Sequence, residues 1–316
     1  MQIINRGPNK SRMAQLGKKI WNFRWMYLFL LPAIVWYFLF SYMPIYGISI
    51  AFKKYNVVKG VFGSPWVGFT NFEKIFTDMN FARAFKNTLF ISFLKMIFVT
   101  PIGLVLALLL NEVKSKALRG TVQSLSMLTH FLSWVVIASI MKVLLSPTSG
   151  IVNKVIVMCG GAPIYFLASK DWFIFWVVVS DMWESAGWNA LIFIAAIAGI
   201  SPDIYDAADI DGAGRWVKMF RITIPCLRNT ISTVLILKLG GLLSGNFNQI
   251  FNLYNNAVMD AADILDTYVY RLGINNMQFS YSSAVNLFQN VIGLALVTVA
   301  NLLVKKLSDS EEGILG

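Results

Sequence analysis

The sequence is short of the side chains that carry most enzyme chemistry. His130 is the only histidine among 316 residues, which argues against a histidine-based metal cluster or a Ser-His-Asp triad. Cys159 and Cys226 are the only cysteines, and two cysteines give no disulfide framework. No G-x-x-x-x-G-K-[ST] stretch occurs, so the chain cannot supply a P-loop phosphate cradle. Charge is scarce too, at 14% of residues against about a quarter in a soluble domain. There is no internal repeat and no low-complexity tract. We therefore expect no catalytic residues, no metal site and no bound cofactor in this chain.

Apolar residues make up 57% of the sequence, and they fall into long runs. A helix crossing about 30 Å of hydrocarbon needs about 20 mostly apolar residues. Stretches 26–48, 88–110, 122–145, 172–200, 231–253 and 284–304 qualify. The expected fold is all-α, a polytopic membrane protein with six transmembrane helices. The fourth stretch is long and contains Asp181, Glu184 and Gly187, so a tilt, a kink or an extension beyond the bilayer is expected there. The first run is too long for a cleaved signal peptide and reads as a signal anchor.

The net charge of +11 admits nucleic-acid binding or retention of Lys and Arg on the cytoplasmic side of a membrane. The basic residues sit between apolar runs, so no nucleic acid is expected. With the N-terminus inside, Arg6, Lys10, Lys18, Lys116, Arg119, Arg215, Arg221 and Lys305 are among the many cytoplasmic cations. The outer segments carry fewer, although the first is basic. The expected organisation is a cytoplasmic tail at 1–25, a membrane domain at 26–304 and a cytoplasmic tail at 305–316. Cys159 and Cys226 then lie on opposite sides and should not pair. Outer connections fall at 51–86, 146–171 and 254–283. Asp260, Asp263 and Asp266 in the last read as a solvated loop.

The most informative segment is 201–225, SPDIYDAADIDGAGRWVKMFRITIP, on the expected cytoplasmic side. Ser201 suits an N-cap and Pro202 the first helical position. Asp206-Ala207-Ala208 presents small side chains that let another surface approach. Gly212 and Gly214 can end the helix through positive φ. A second helix over 215–224 would place Trp216, Met219, Phe220 and Thr223 near one face, with Pro225 ending it. A plain connector needs only polarity and a turn, so this spacing asks for more.

The segment resembles the coupling loop of ABC importer permeases, in which Glu-Ala-Ala is followed by Asp-Gly-Ala, a Phe and a Pro. Asp206, Ala207, Ala208, Asp211, Gly212, Ala213, Phe220 and Pro225 match in order, with Asp206 in place of the usual Glu. Asn229 stands where a second proline often follows. The stretch PWVGFTNF at 65–72 is similar to maltose-type sugar permeases. The run LFLLPAIVWYFLFSYMPIYGISIAF is similar to the subgroup importing polysaccharide fragments and complex oligosaccharides. The resemblance implies the type I importer permease fold in the bacterial cytoplasmic membrane. It also implies a second homologous permease subunit, a cytoplasmic ABC ATPase dimer holding ATP and Mg, and a lipid-anchored or periplasmic sugar-binding protein. In such systems the coupling loop docks on the ATPase, whose closure rocks the permease pair outward.

Polar groups inside spans are costly and mark pathways, and sugars favour aromatic faces beside amides and hydroxyls. Three clusters fit: His130, Ser133 and Trp134; Trp183, Glu184, Trp188 and Asn189, with Asp181; and Ser244, Asn246, Asn248 and Gln249, with Asn252. In the maltose-type family the sugar is held by these three spans. The same residues could instead bond helix to helix. Trp172 and Trp176 read as interfacial belt residues, and Asn286, Gln289 and Asn290 as helix contacts. Lys95, Lys142 and Lys238 are expected to snorkel to an interface. Two other readings compete: a permease of this architecture for a peptide or amino acid, and a membrane glycosyl or acyl transferase using the Asp260, Asp263 and Asp266 trio.

Overall fold

The computed structural model describes residues 21–307, with side chains up to Leu302. The tails expected at 1–25 and 305–316 lie largely outside the described residues. Among the described residues there is no strand, only an isolated antiparallel bridge between Lys53 and Trp66. The chain divides into two compact units, 1–68 and 69–316.

In the first unit, helix α1 (Arg24–Tyr37) passes into a π turn (Phe38–Tyr42) and a 3-10 helix (Met43–Phe52). Pro32 lies inside α1 and Pro44 opens the 3-10 stretch, so both prolines are accommodated within one apolar rod. None of the residues of Arg24–Tyr42 is buried. The start of the 51–86 connection is folded: the Lys53 ammonium donates to the Val61 carbonyl at 2.6 Å and sits 4.9 Å over the Trp66 ring.

The second unit is built on α2 (Met79–Glu112), capped by the Asp78 carboxylate accepting from the Asn80 amide at 2.9 Å. There follow α3 (Lys116–Leu128), α4 (Trp134–Leu144), α5 (Lys170–Ala198), α6 (Pro202–Ile210), α7 (Arg228–Gly240), α8 (Phe247–Leu253) and α9 (Phe279–Leu307). Among the described residues of both units, three helices are long and apolar enough to cross a membrane, or up to six if each bent pair counts as one span.

Two of the expected spans are not continuous. The 122–145 stretch breaks between Lys116–Phe131 and Trp134–Leu144, which meet at 100°. Ser133 is extended there and its hydroxyl accepts from the Val136 amide, starting a new helix. The 231–253 stretch stops at Gly240 and resumes at Phe247. Asn246 adopts φ 64°, in the left-handed region that asparagine tolerates, and caps α8 through the Gln249 amide. Of the tilt, kink or excursion beyond the bilayer expected for 172–200, the kink is absent: α5 runs 29 residues unbroken and the chain bends by 72° only after it, into α6.

Helices α2 and α5 form the central pair. A Cβ at Gly103 of α2 would collide with Asn189 of α5, and one at Gly187 of α5 with the backbone of Ser126 in α3. These two glycines let three helices approach closely. Two apolar cores flank the pair's middle. One holds Ile91, Ile137, Phe173, Val177 and Ile250, and the other Leu108, Phe193, Ile197, Met219 and Leu227. Between them, along about 16 residues or roughly 24 Å of α2, polar Ser92, Lys95 and Thr100 interrupt the apolar face that Met96 and Val99 continue.

The segment 254–283 is not a solvated loop. Asp263 is 1% exposed and takes both guanidinium nitrogens of Arg271, at 2.9 and 2.6 Å. Asp260 bridges Arg83 and Lys170 at 2.7 and 3.0 Å, and Asp266 accepts from Gln289 at 2.8 Å. The three carboxylates serve different partners, and no cluster of metal-ligating side chains occurs among the described residues. Cys159 and Cys226 are both free.

Candidate substrate cavity and coupling surface

The polar zone encloses a cavity of about 570 Å³ between the two apolar cores. Helix α2 contributes Ser92, Lys95 and Thr100; α5 contributes Asp181, Glu184, Ser185, Trp188 and Asn189. Both helix breaks reach it, the first through His130 and Trp134, the second through Gly241, Ser244, Gly245 and Asn246. Unwound backbone is tolerated at membrane depth where it lines a cavity or is buried in protein. Discontinuous helices at such a site are a recurring device for presenting polar groups to cargo.

Charge inside the cavity is largely paired. The Lys95 ammonium lies 3.0 Å from the Asp181 carboxylate, both side chains mostly buried. It also donates to the Gln249 amide oxygen and to the Gly245 carbonyl. Gln249, itself fully buried, donates onward to the Val177 carbonyl at 2.7 Å and to Ser180 at 2.9 Å. Lys95 therefore does not snorkel. It ties α2, α5 and the unwound stretch together. His130 Nδ1 lies 3.0 Å from Glu184 Oε1, and its ring stacks on Trp188 at 4.7 Å. The Thr129 hydroxyl holds the first break against α5, within hydrogen-bond distance of the Trp183 and Glu184 carbonyls.

Of the residues singled out from sequence, His130, Trp134, Glu184, Trp188, Asn189, Ser244 and Asn246 line this cavity. Ser133 is spent as the α4 cap. Trp183 points elsewhere, into an apolar groove with Leu109, Leu125 and Met182. Asn248 is exposed on α8, and Gln249 is enclosed behind the lining as a brace. Sequence reasoning missed Ser92, Lys95, Thr100, Ser185 and Lys238. For Lys95 a signal was available, since a lysine well inside an apolar run asks for a carboxylate on another run.

The 201–225 segment forms a compact helical pair. The Ser201 hydroxyl caps α6 by accepting from the Asp203 amide. Gly212 has φ 74° and the Ala213 amide bonds back to Ala208 at 2.9 Å, closing the helix end. Gly214, expected to share that role, is extended with φ −69°. The second helix runs from Arg215–Lys218 through a π turn (Met219–Thr223) to Ile224–Cys226. Pro225 therefore sits inside its last turn, and the chain bends by 58° into α7 after it.

The four residues expected on one face divide between two. Met219 and Thr223 are buried, with Met219 in the apolar core, while Trp216 and Phe220 stack on each other at 6.2 Å and are exposed. The π turn changes the angular spacing and separates them. The Tyr205 and Thr223 hydroxyls meet at 2.9 Å, and Lys218 pairs with Asp209 at 2.6 Å, so two side-chain contacts join the helices. Asp206, Ala207, Asp211 and Gly212 remain exposed.

A helical bundle with a polar cavity at two broken helices, continuous with a rigid helix pair bearing exposed aromatics, defines a membrane transport subunit. The chain belongs to the family of binding-protein-dependent transport system inner membrane components, whose model matches residues 99–309. It is similar to the polygalacturonan/rhamnogalacturonan transport system permease protein YteP of Bacillus subtilis, at 41% identity over 96% of this chain and 94% of that one. Protein LplB of the same organism is 38% identical over 99% and 96%. Among solved structures, a chain of a bacterial ABC transporter importing the acidic polysaccharide alginate superposes with TM-score 0.85. That chain is 37% identical over 92% of this one and 99% of its own length.

Proposed function

We infer that this chain is one permease subunit of an ATP-driven importer that moves a sugar or oligosaccharide across the cytoplasmic membrane by alternating access. The observation that carries this is the cavity. It is lined by the stacked His130–Trp188 pair, by Trp134, Asn189, Ser244 and Asn246, and by residues of two helix breaks. Flat rings beside amides and hydroxyls suit a pyranose, which has an apolar face and a polar rim. A peptide-selective site would need groups for both chain termini, and here the charges are mostly paired with each other.

ATP with its Mg is held by a separate ATPase dimer, onto which Asp206, Ala207, Ala208, Asp211, Gly212, Ala213 and the exposed Phe220 dock. Movement of that docked pair reaches the cavity through Met219 and Leu227, which share an apolar core with α5. A second permease subunit, a sugar-binding protein outside the cell and lipid around the apolar rods complete the assembly. Both chain termini then lie in the cytoplasm. The test is purification with its neighbours, followed by ATPase assay with glycan-loaded binding protein. We expect ATP hydrolysis to rise with the loaded form. Stimulation by a peptide-loaded protein instead, or turnover of glycan by the isolated chain, would overturn the reading.

A further inference from the structure

Hydroxyls on apolar helices have a default partner, the carbonyl one turn back. Thr88 donates to the Ala84 carbonyl at 2.7 Å, Ser139 to Val135 at 2.8 Å and Ser185 to Asp181 at 2.7 Å. Ser92 makes no such bond. It is 8% exposed, yet its Oγ has no hydrogen-bond partner. Few buried polar groups in a folded protein are left so. Among the described residues, Ser92 Oγ and His130 Nδ1 are the two such atoms on the cavity lining, and His130 Nδ1 has the Glu184 carboxylate 3.0 Å away. The Lys95 ammonium, one turn along α2, is taken by Asp181, Gln249 and Gly245.

Ser92 sits where the cavity meets an apolar core. It lines the cavity, while its neighbour Ile91 packs in the core with Ile137, Phe173, Val177 and Ile250. That core is not the one that holds Met219 of the 201–226 helix pair. Alternating access opens a central cavity to one side at a time, so the apolar seal beside Ser92 parts once in each cycle. We propose that Ser92 is a cargo contact on α2: as the seal parts, its hydroxyl bonds to a hydroxyl of the glycan. This rests on the glycan-import reading and deepens it, adding α2 to the three spans expected to hold the sugar. A serine hydroxyl both donates and accepts, as a sugar hydroxyl does, so the bond forms in whichever sense the cargo leaves open. The same residue makes the site selective, because an apolar cargo surface there leaves Ser92 buried and unpaired.

The experiment uses the whole importer in proteoliposomes: this chain, its partner permease, the ATPase and the wild-type binding protein. The probes are a pentasaccharide that the binding protein accepts, drawn from a panel of neutral and acidic glycans, and its monodeoxy analogues. Binding-protein affinity is measured first, and uptake KM is compared among cargoes that it binds equally. For the wild type we expect at least one analogue to show a KM about tenfold above the parent. In Ser92→Ala the parent's KM should rise by about the same factor, and that analogue should lose its handicap. The cargo-free variant, purified in detergent, should melt at or above the wild-type temperature, because an unpaired buried hydroxyl is gone. A lower melting temperature would show that Ser92 has a partner inside the protein and would overturn the proposal. So would an unchanged KM for the parent, the result if the hydroxyl holds only an enclosed water. The absence of any deoxy penalty in the wild type, or a penalty that persists in Ser92→Ala, would overturn it as well. Glycan import would stand in each of those cases. A wild-type importer that takes up no glycan at all would sink the import reading and the proposal with it.

Discussion

Lys95 shows what a single residue decides in this chain. Its ammonium is almost enclosed, and its stability depends on Asp181, Gln249 and the Gly245 carbonyl together. Removing one partner of a buried pair leaves an uncompensated charge, which typically costs about 3–5 kcal/mol. Lys95→Met should therefore lower the melting temperature of the detergent-purified complex markedly. Adding Asp181→Asn should recover part of the loss, because the stranded carboxylate is then gone. A double variant no more stable than Lys95→Met alone would show that the pair is not what the site depends on. Asn246 was legible in sequence as a polar residue within an apolar run. Its left-handed backbone was not, because φ depends on how the next helix is capped. The same applies to Gln249, which looked like a cargo contact and proved to be a buried brace.

At the level of elements, the helix pair within 201–226 is the clearest case of local sequence dictating local structure. Ser201, Pro202 and Gly212 begin and end α6 where their chemistry requires. The second helix is subtler, since the π turn at Met219–Thr223 turns Met219 into the core and leaves Phe220 outside with Trp216. A charge on the outer face should disturb docking without disturbing the bundle. We expect Phe220→Asp to insert and melt normally while cargo-stimulated ATP hydrolysis falls by more than tenfold. Met219→Asp should instead lose stability, because it buries a charge in the apolar core. Normal stimulated hydrolysis in Phe220→Asp would remove the coupling role assigned here. The broken spans were not foreseen, because hydropathy counts apolar residues and is blind to where Ser133, Gly241 and Asn246 interrupt the hydrogen-bond ladder.

For the molecule as a whole, the end of the second unit that holds Asp78 and 254–283 is fastened by carboxylates. Burial disfavours the charged form of Asp78, but hydrogen bonds from Tyr268, the Asn80 amide, Tyr281 and the Phe81 amide outweigh it and hold its carboxyl below the usual 3.8. Asp260 is likewise held low, by its bond to Lys170 and the charges of Lys170 and Arg83. A carboxylate whose pKa is lower folded than unfolded stabilises the fold above its unfolded value, and that support is lost as pH falls through the folded value. The melting temperature should therefore be flat near neutrality and fall as pH drops below about 4. Tyr268→Phe should shallow the fall by removing one of the bonds to Asp78. An unchanged acid slope in that variant would exclude Asp78 as a fastening.

Composition and spacing determined the environment and the class: long apolar runs need a bilayer, and the capping and glycine pattern at 201–225 sets a bent helix pair, because both are local properties written along the chain. The tertiary structure alone decided which polar residues meet. Lys95 finds Asp181, and His130 finds Glu184, across helices separated by dozens of residues. Those distances depend on close helix approach at Gly103 and Gly187 and on where two spans break. No one-dimensional pattern specifies these, since they are set by the simultaneous packing of several helices.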